Sequence, residues 1–487
     1  MRNYVAVVLA LFLSIEGGWA DVRLPRIFGD HMVLQRNTPI HIWGWADPGE
    51  TVKVTLNGKD KQTRAAEDGK WSLNLNKEAA GGPYTLVVKG NNEIVLNDVL
   101  IGDIWVCSGQ SNMEWPLKRT DNAAAEIESA NLPQIRHIKV PRTVAGAPKE
   151  DISGNPQWQP ATPQFVAEFT AVGYYFAKEL QNELNVPIGL LNSSWGGTNV
   201  ETWTSRAAFE NSDEFKKMIS TVATPIPDST VNKSKPNIAP SLLSNAMIEP
   251  IVPFKIKGVI WYQGENNANL AHQYRQAFPL LINDWRERWN IGNFPFYFVQ
   301  LASYKASGGT SEKGSTWAEL REAQKMTLSL SNTGMAVTTD IGNSNDIHPT
   351  NKLDVGKRLA AIALNKTYKK KNEYSGPVFK KMKRDGNKIK IYFDHVDGGL
   401  TTKTTGQLLN GFEIAGADRS FKKANAVIEK NYVVVSSDEV AEPIAVRYGW
   451  SDDNIEINLF NEAGFPATPF RTDNWDGITV GTKRSYL

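Results

Sequence analysis

The chain has 487 residues, which at roughly 100–200 residues per domain corresponds to about three domains and allows a sizeable core. Its 54 lysines and arginines are nearly balanced by 52 aspartates and glutamates, so a net charge of +2 gives no electrostatic basis for a nucleic-acid partner. The single cysteine, Cys107, excludes an intrachain disulfide framework, a CxxC redox pair and a cysteine-rich zinc site. The 15 tryptophans and 14 tyrosines suit either core packing or stacking on sugar rings.

The first 20 residues have the pattern of a signal peptide. Arg2 precedes the apolar run Val5–Leu13, and Gly18-Trp19-Ala20 supplies a cleavage site before Asp21. The apolar run is shorter than the roughly 20 residues that a membrane span needs. We therefore expect a signal peptide over residues 1–20 and a soluble secreted or periplasmic protein that makes no membrane contact after cleavage.

Residues 21–100 show short alternating runs separated by turn signals. Val52–Leu56 alternates apolar with polar residues, and Asn57-Gly58, which follows it, is a hairpin-turn dipeptide. Similar runs occur at Ile40–Trp43, Trp71–Leu73 and Tyr84–Val88. This pattern predicts antiparallel strands, so we expect a β-sandwich-like N-terminal domain over residues 21–100.

Residues 101–368 change to a pattern of strand, polar loop and helix. This alternation predicts an α/β domain with a largely parallel sheet that helices cover on both faces. In such sheets the active site lies beyond the carboxyl ends of the strands. The stretch around residues 205–250, which contains several prolines, is predicted to be an irregular insertion. The predicted elements are a helix at Ala171–Leu184, a strand at Ile188–Leu191, a strand at Lys257–Tyr262, a helix at Tyr274–Trp289, and strands at Phe296–Val299 and Met335–Thr339.

Residues 369–487 return to short runs that are typical of strands. Ile389–Phe393, Tyr432–Val435 and Ile455–Leu459 alternate or are rich in β-branched residues. We therefore expect a third, β-rich domain at the C-terminal end.

A candidate nucleophile lies just beyond the first predicted strand of the α/β domain. Gly109–Met113 places Ser111 in a small flexible turn. A serine hydroxyl is a weak nucleophile unless a base takes its proton and donors receive the charge on the carbonyl oxygen. His348 is the candidate base, with Asp346 two residues before it in a polar turn. Met113 stands where the nucleophile elbow of α/β-hydrolases has its second glycine, which excludes that elbow.

Five motifs occur in the order in which one enzyme family has them. They are Phe28–Gln35, Gly109–Pro116, Trp195–Thr198, Trp261–Glu265 and Asp346–Pro349. Through these motifs the chain resembles the sialate O-acetylesterases, SGNH-type carbohydrate esterases, along nearly its whole mature length. The resemblance implies a flavodoxin-like SGNH hydrolase core flanked by N-terminal and C-terminal β-rich domains. It also implies serine esterase chemistry without metal or cofactor, and release of acetate from O-acetylated sugars such as sialic acids.

The resemblance and the chemistry together assign the catalytic residues. Ser111 is the nucleophile and His348 the base, and Asp346 is the predicted third member of a triad. SGNH enzymes often place the acid three residues before the histidine, where this chain has Asn345. A Ser–His dyad, with a backbone carbonyl orienting the imidazole, is therefore the alternative to the triad.

The predicted oxyanion hole combines backbone and side-chain donors. Its backbone donors are the N–H groups of Ser111 and of Gly196 or Gly197, because glycine lets a backbone approach a substrate closely. Many SGNH enzymes supply an amide from asparagine. Here Gln263 is the predicted amide donor, and Asn266 is the reserve.

Candidate substrate-binding residues flank these motifs. The candidates to wall the acetyl pocket or to stack on a sugar are Trp115, Trp195 and Trp261, and core packing is the alternative for each of the three. Glu265 has three alternatives, which are to orient its loop, to bind sugar hydroxyls or to cap the following helix. The expected partner is an O-acetylated sugar or glycan, and the sequence shows no sign of a protein partner.

Three other functions compete with this interpretation. An acetyl xylan or other hemicellulose acetylesterase would use the same chemistry. A noncatalytic glycan-binding protein would use the β-rich domains and the tryptophans without turnover. A glycoside hydrolase would use paired carboxylates such as Glu265 and Asp340, roughly 5–10 Å apart across a cleft.

Overall fold

The structure is a computed structural model that describes residues 21–227, 238–404 and 406–484. The predicted signal peptide, residues 1–20, and residues 228–237 of the predicted insertion lie outside the described residues. In the described part of the insertion, short helices lead back to the central sheet.

The N-terminal region forms antiparallel sheets around alternating apolar side chains. Strand β3 lies between β4 and β6, β6 pairs with β7, and β2 pairs with β5 in a second sheet. Ile42 of β2 and Leu73 of β5 are buried in the same core as Val52 and Val54 of β3, as a β-sandwich requires. The strands are β1 Val33–Gln35, β2 Ile40–Trp45, β3 Thr51–Leu56, β4 Lys59–Arg64, β5 Lys70–Leu75, β6 Gly81–Lys89 and β7 Glu93–Gly109.

Strand β7 belongs to both the N-terminal and the central sheet. Its first half pairs with β6 and β1, whereas residues 103–109 pair with the central strands. The sequence-based boundary between residues 100 and 101 therefore falls inside one continuous strand. A strand shared in this way fixes the N-terminal region against the central sheet.

The central sheet has the strand order β9-β8-β10-β7-β11-β12-β13. All neighbours are parallel except β8 and β9. Five of these strands, β10-β7-β11-β12-β13, have the flavodoxin-like order 2-1-3-4-5, and β8 and β9 extend the β10 edge. The predicted α/β class is thus confirmed. The added strands are β8 Leu132–Lys139, β9 Gln159–Ala161, β10 Ile188–Ser194, β11 Gly258–Tyr262, β12 Phe296–Val299 and β13 Thr333–Ala336.

Helices cover both faces of this sheet because its side chains alternate between two cores. Trp105 and Cys107 of β7 pack with α3 and α8, whereas Ile104 and Val106 pack with α6 and α7. The α-helices are α1 Ser111–Glu114, α2 Ala123–Ser129, α3 Ala171–Leu184, α4 Arg206–Glu210, α5 Lys216–Ser220, α6 Ala271–Trp289, α7 Thr316–Met326 and α8 Lys352–Lys366. Short 3₁₀ segments lie at Leu117–Arg119, Val166–Glu168, Val200–Trp203, Glu249–Ile251, Glu265–Leu270, Thr327–Ser329 and Thr339–Ile341, and a π-helical turn at Ser244–Ile248.

The C-terminal region consists of antiparallel sheets in the orders β14-β15-β20-β19, β18-β17-β21-β23 and β16-β22. The predicted strand Ile455–Leu459 is wrong over most of its length. Asn454 starts a turn there, with its C=O accepting from the Ile457 N–H, and a strand begins only at Leu459. The strands are β14 Val378–Asp385, β15 Lys388–Asp394, β16 Leu400–Thr402, β17 Phe412–Ala415, β18 Lys422–Lys423, β19 Asn425–Glu429, β20 Tyr432–Ser436, β21 Ala445–Tyr448, β22 Leu459–Asn461 and β23 Phe470–Arg471. Among the described residues, none of the helices combines the length and apolarity that crossing a membrane requires.

Candidate active site

Three of the predicted motifs converge because three neighbouring strands end in one row. Gly109 at the end of β7 is in register with Ser194 of β10 and with Tyr262 of β11. The Gln110 N–H donates to the Tyr262 carbonyl at 2.9 Å, and the Trp195 N–H donates to the Gly109 carbonyl at 3.1 Å. The three segments that follow these strands therefore begin side by side, at the carboxyl edge where α/β sheets bind ligands.

Gly109 lets the chain turn sharply from the strand into α1. Its φ is +126°, in the left-handed region that favours glycine. A Cβ at this position would lie 2.2 Å from the Tyr262 carbonyl oxygen, so no other residue fits. Ser111 follows as the first residue of α1.

Ser111 and His348 meet at this edge although they are far apart in sequence. His348 Nε2 lies 2.8 Å from Ser111 Oγ, which is hydrogen-bonding distance. The Trp115 indole stacks on the imidazole, with ring centroids 5.0 Å apart and planes 16° apart. The imidazole is thus held on one face and directed at the hydroxyl, as a general base requires.

Asp346 lies behind the imidazole. Its Oδ1 is 3.4 Å from His348 Nδ1 and accepts the backbone N–H of His348 at 2.8 Å. The same oxygen therefore accepts a backbone hydrogen bond within the turn and faces the ring nitrogen that points away from Ser111. Ser111, His348 and Asp346 have the order of a triad, but the aspartate side chain is 53% exposed, unlike the buried aspartate of serine proteases.

The surroundings of His348 favour its neutral form. Burial lowers the pKa of the imidazole below its ordinary value, and the charges of Lys352 and Arg119 add to this effect. Asp346 acts in the opposite direction and raises the pKa. Because only a neutral imidazole can accept the serine proton, a lowered pKa keeps the base competent into mildly acidic solution.

Replacing Asp346 should separate a triad from a dyad. Asp346→Asn is expected to lower kcat by at least tenfold. We expect less than the roughly 10,000-fold loss at a buried triad aspartate, because water solvates this exposed carboxylate and weakens its effect on the imidazolium. The change also removes a charge that raises the pKa of His348, so the acid limb of kcat/KM should move to lower pH. A pH–rate profile on an aryl acetate measures both effects, and a loss below tenfold with an unmoved limb would indicate a dyad.

Gly196 approaches Ser111, but its N–H is already bound. A Cβ at Gly196 would lie 3.1 Å from the Ser111 Cβ, so glycine permits this approach. The Gly196 N–H donates to Glu114 Oε2 at 3.1 Å, which corrects its predicted role as an oxyanion donor. Of the predicted backbone donors, the N–H groups of Ser111 and Gly197 remain. The Ser111 N–H lies at the start of α1, where helix N–H groups have no intrahelical acceptor.

Gln263 does not point toward the nucleophile, contrary to its predicted role. Its side-chain amide donates to the Thr198 carbonyl at 3.1 Å and to Asn267 Oδ1 at 2.7 Å. Its carbonyl oxygen accepts the Tyr274 hydroxyl at 2.9 Å. Both amide N–H groups therefore donate to protein acceptors. Gln263 thereby connects the glycine turn at Thr198 to the turn that contains Asn267.

Asn266, the reserve donor, also acts within the protein. Its amide donates to the Gly197 carbonyl at 3.2 Å and bonds to the Asn199 side-chain oxygen. The two predicted amide donors thus hold the glycine turn in place. The oxyanion donors that remain are backbone groups.

Gln263→Ala is therefore expected to weaken the fold. The change leaves the Tyr274 hydroxyl, the Thr198 carbonyl and Asn267 Oδ1 without this partner. Buried polar groups without a partner cost about 1–3 kcal/mol each, so the free energy of unfolding should fall by about 2–5 kcal/mol. Chemical denaturation measures this change. An unchanged unfolding free energy together with a lower kcat would return Gln263 to the oxyanion hole.

Comparison with known proteins identifies the family. Residues 101–365 match the family model described as carbohydrate esterase, sialic acid-specific acetylesterase. The chain belongs to this family. The human sialate O-acetylesterase is 31% identical over 520 residues, which cover 96% of this chain and 95% of that protein, and the Pongo abelii protein of the same name has the same identity and coverage. A carbohydrate acetylesterase from Xanthomonas citri has a similar structure, with a TM-score of 0.86 and 43% identity over 93% of this chain and 100% of that one.

The resemblance predicted from the five motifs is thus confirmed, and the protein is a carbohydrate esterase. Its three motif tryptophans have different surroundings. Trp115 stacks on the His348 imidazole, and Trp195 is half-buried with the Arg142 guanidinium 5.8 Å from its ring centroid. Trp261 is fully buried among aromatic core residues. Only Trp115 and Trp195 therefore remain candidates for contact with a sugar.

Glu265 and Asp340 are both bound inside the esterase. Glu265 Oε1 accepts the Asn112 amide at 2.6 Å, so the predicted role in sugar binding is replaced by the alternative of orienting its loop. Asp340, which is 6% exposed, accepts two hydrogen bonds from Arg358 at 2.6 Å each. This arrangement gives no support to a paired-carboxylate glycosidase. In the part of the chain that the structure describes, no group of three or more His, Cys, Asp or Glu residues is placed to hold a metal ion.

Sequence reasoning missed three residues of the site, namely Asn112, Glu114 and Lys352. Glu114 is buried, holds the Gly196 N–H and pairs with Arg142 at 2.5 Å. Asn112 and Lys352 meet behind the nucleophile. The motif that supplied the nucleophile also contains Asn112 and Glu114, so a signal was present. The sequence contains no such signal for Lys352, because a lysine at the start of a helix usually faces solvent.

Proposed function

We propose that this esterase removes O-acetyl groups from sialic acids through an acetyl-enzyme intermediate on Ser111. The 2.8 Å contact between His348 Nε2 and Ser111 Oγ carries this proposal. His348 takes the hydroxyl proton while Ser111 Oγ attacks the acetyl carbonyl carbon. The N–H groups of Ser111 and Gly197 receive the charge on the carbonyl oxygen.

Collapse of the tetrahedral intermediate breaks the bond to the sugar oxygen, which takes the proton from His348. The acetyl group is then an ester of Ser111. A water molecule gives its proton to His348, attacks the acetyl carbon and releases acetate, and the proton returns to Ser111. No charge beyond the oxyanion and the imidazolium has to be stabilised.

The charges around the site support an anionic sugar. Arg119 lies over the Trp115 ring at 5.5 Å from its centroid, and Arg142 lies over the Trp195 ring at 5.8 Å. Both arginines are exposed. Glu114 neutralises Arg142, so Arg119 is the cation that we assign to the carboxylate of a sialic acid, a group that a neutral xylan lacks.

Acetate release from matched substrates tests the proposal. We expect higher kcat/KM on O-acetylated sialic acids than on acetylated xylan. Arg119→Ala should raise KM for the sialic acid substrate, whereas the exposed and remote Arg384→Ala should not. Faster turnover of acetylated xylan would make the enzyme a hemicellulose acetylesterase. Absence of turnover on every ester, including an aryl acetate, would leave the noncatalytic glycan-binding alternative.

A further inference from the structure

A completely buried lysine stands behind the catalytic pair. Lys352 is the first residue of α8, four positions after His348, and is 0% exposed. Its ammonium group lies over the Trp115 and Tyr262 rings, 5.7 and 5.4 Å from their centroids. It donates a hydrogen bond of 2.5 Å to Asn112 Oδ1. The site therefore encloses a cation that the acetyl-transfer steps do not use.

Asn112 connects this lysine to both catalytic loops. It follows the nucleophile directly in sequence and is itself buried. Its amide donates to Glu265 Oε1 at 2.6 Å and to the Ile347 carbonyl at 3.0 Å. Ile347 precedes the catalytic histidine, so one side chain joins the nucleophile turn, the histidine loop and the turn after β11. Lys352 and Glu265 hold the two ends of that side chain.

Fold stability does not explain a lysine in this place. Burying an ammonium group is costly, and apolar side chains of similar volume are often as stable or more stable at such sites. Burial lowers the pKa of Lys352 to about 7 and raises that of Glu265. Strongly shifted groups beside a catalytic pair are typical of functional sites.

The lysine also acts on the base through its charge. The charged Lys352 disfavours the imidazolium and so lowers the pKa of His348. The groups that act on the two residues are Glu265 and Asp346 for Lys352, and Asp346 and Arg119 for His348. The Tyr262 ring and the Asn112 amide complete the surroundings of the ammonium group.

We propose that Lys352 is a positioning residue for the Ser111–His348 pair, acting through the Asn112 side chain and through its own charge. This inference rests on the proposed serine esterase function. The hydrogen bond to Asn112 fixes the separation of the two catalytic loops. In its protonated form the lysine also disfavours the imidazolium of His348.

Two substitutions separate these effects. Lys352→Met removes both the donor and the charge at similar volume, so kcat on an aryl acetate should fall by about 10- to 100-fold, as small misplacements of reacting groups do. KM should stay nearly constant. Lys352→Gln keeps a donor for Asn112 and loses the charge, so it should recover most of the kcat loss. Both variants should raise the pKa of His348 and move the acid limb of kcat/KM to higher pH.

The pKa of His348 should be read by NMR titration of the histidine-labelled protein as well as from the rate profile. Lys366→Met, at the other end of α8, is the matched control and should change neither reading. The proposal would be overturned if Lys352→Met kept kcat within twofold and left the pKa of His348 unmoved, or if the control behaved in the same way. If the wild-type protein hydrolysed no ester, the proposed function would fail, and the NMR titration would still test the effect of Lys352 on the histidine.

Discussion

Ser111→Ala should abolish ester hydrolysis and leave the fold intact. In serine proteases, loss of the nucleophile lowers kcat by about 10⁶-fold, and we expect a loss of that order here. The half-buried Ser111 hydroxyl bonds to His348 and belongs to no core cluster, so it contributes little to the core. The melting temperature of the variant should therefore stay close to that of the wild type.

Acetate release and thermal unfolding of the same preparation measure the two quantities. Ser129→Ala is a matched control, because Ser129 is an exposed serine of α2 that donates only to backbone carbonyls of its own helix. It should keep full activity. Turnover by Ser111→Ala at the wild-type rate would remove Ser111 from the mechanism.

His348→Ala should produce a loss of similar size. The imidazole is the group that lies at hydrogen-bonding distance from Ser111 Oγ, and in proteases loss of the base costs about as much as loss of the nucleophile. The substitution leaves a cavity, and the Trp115 ring that stacks on His348 forms one wall of it. Added imidazole should bind there and restore part of the activity.

His272→Ala serves as the control for this change, since His272 is exposed on α6. It should be as active as the wild type with and without imidazole. A His348→Ala variant that kept more than a few per cent of the wild-type kcat would show that another group is the base.

Alternation and motif order predicted the layout of this enzyme, because both follow from short-range geometry. Parallel strands that end in one row bring the residues after them together, so Ser111 and the glycine turn could be placed at one edge of the sheet. The shared strand β7 was harder to recognise. Its 17 residues continue through a change in sequence pattern, and that change predicts a domain boundary inside the strand.

The inward direction of Gln263 agrees with the alternation of side chains along β11, continued one residue beyond the end of the strand. Trp261 of β11 faces the core that contains α6, and Gln263 has the same parity and bonds to Tyr274 of α6. The motif predicts an oxyanion donor, whereas the alternation of the strand predicts that the Gln263 side chain faces the core. The turn at Asn454 shows the reverse case, because the run Ile455–Leu459 alternates as a strand does, but Asn454 before it starts a turn.

Burial of charged groups was beyond the reach of the sequence. Lys352 and Glu265 are far apart in the chain, and only the fold brings both to the Asn112 side chain. Likewise, only the fold places Arg119 over the Trp115 ring and Arg142 over the Trp195 ring. Residue types give the chemistry that is available, but enclosed contacts decide which groups reach the substrate.

Covalent labelling tests the central claim most directly. A fluorophosphonate reacts with a serine only when a neighbouring base activates it, and the adduct stays attached for peptide mapping. We predict one adduct per chain, on Ser111, with loss of esterase activity in proportion to labelling and no adduct on the Ser111→Ala variant. An adduct on any other residue, or full activity after Ser111 is labelled, would contradict the assignment of Ser111 as the nucleophile.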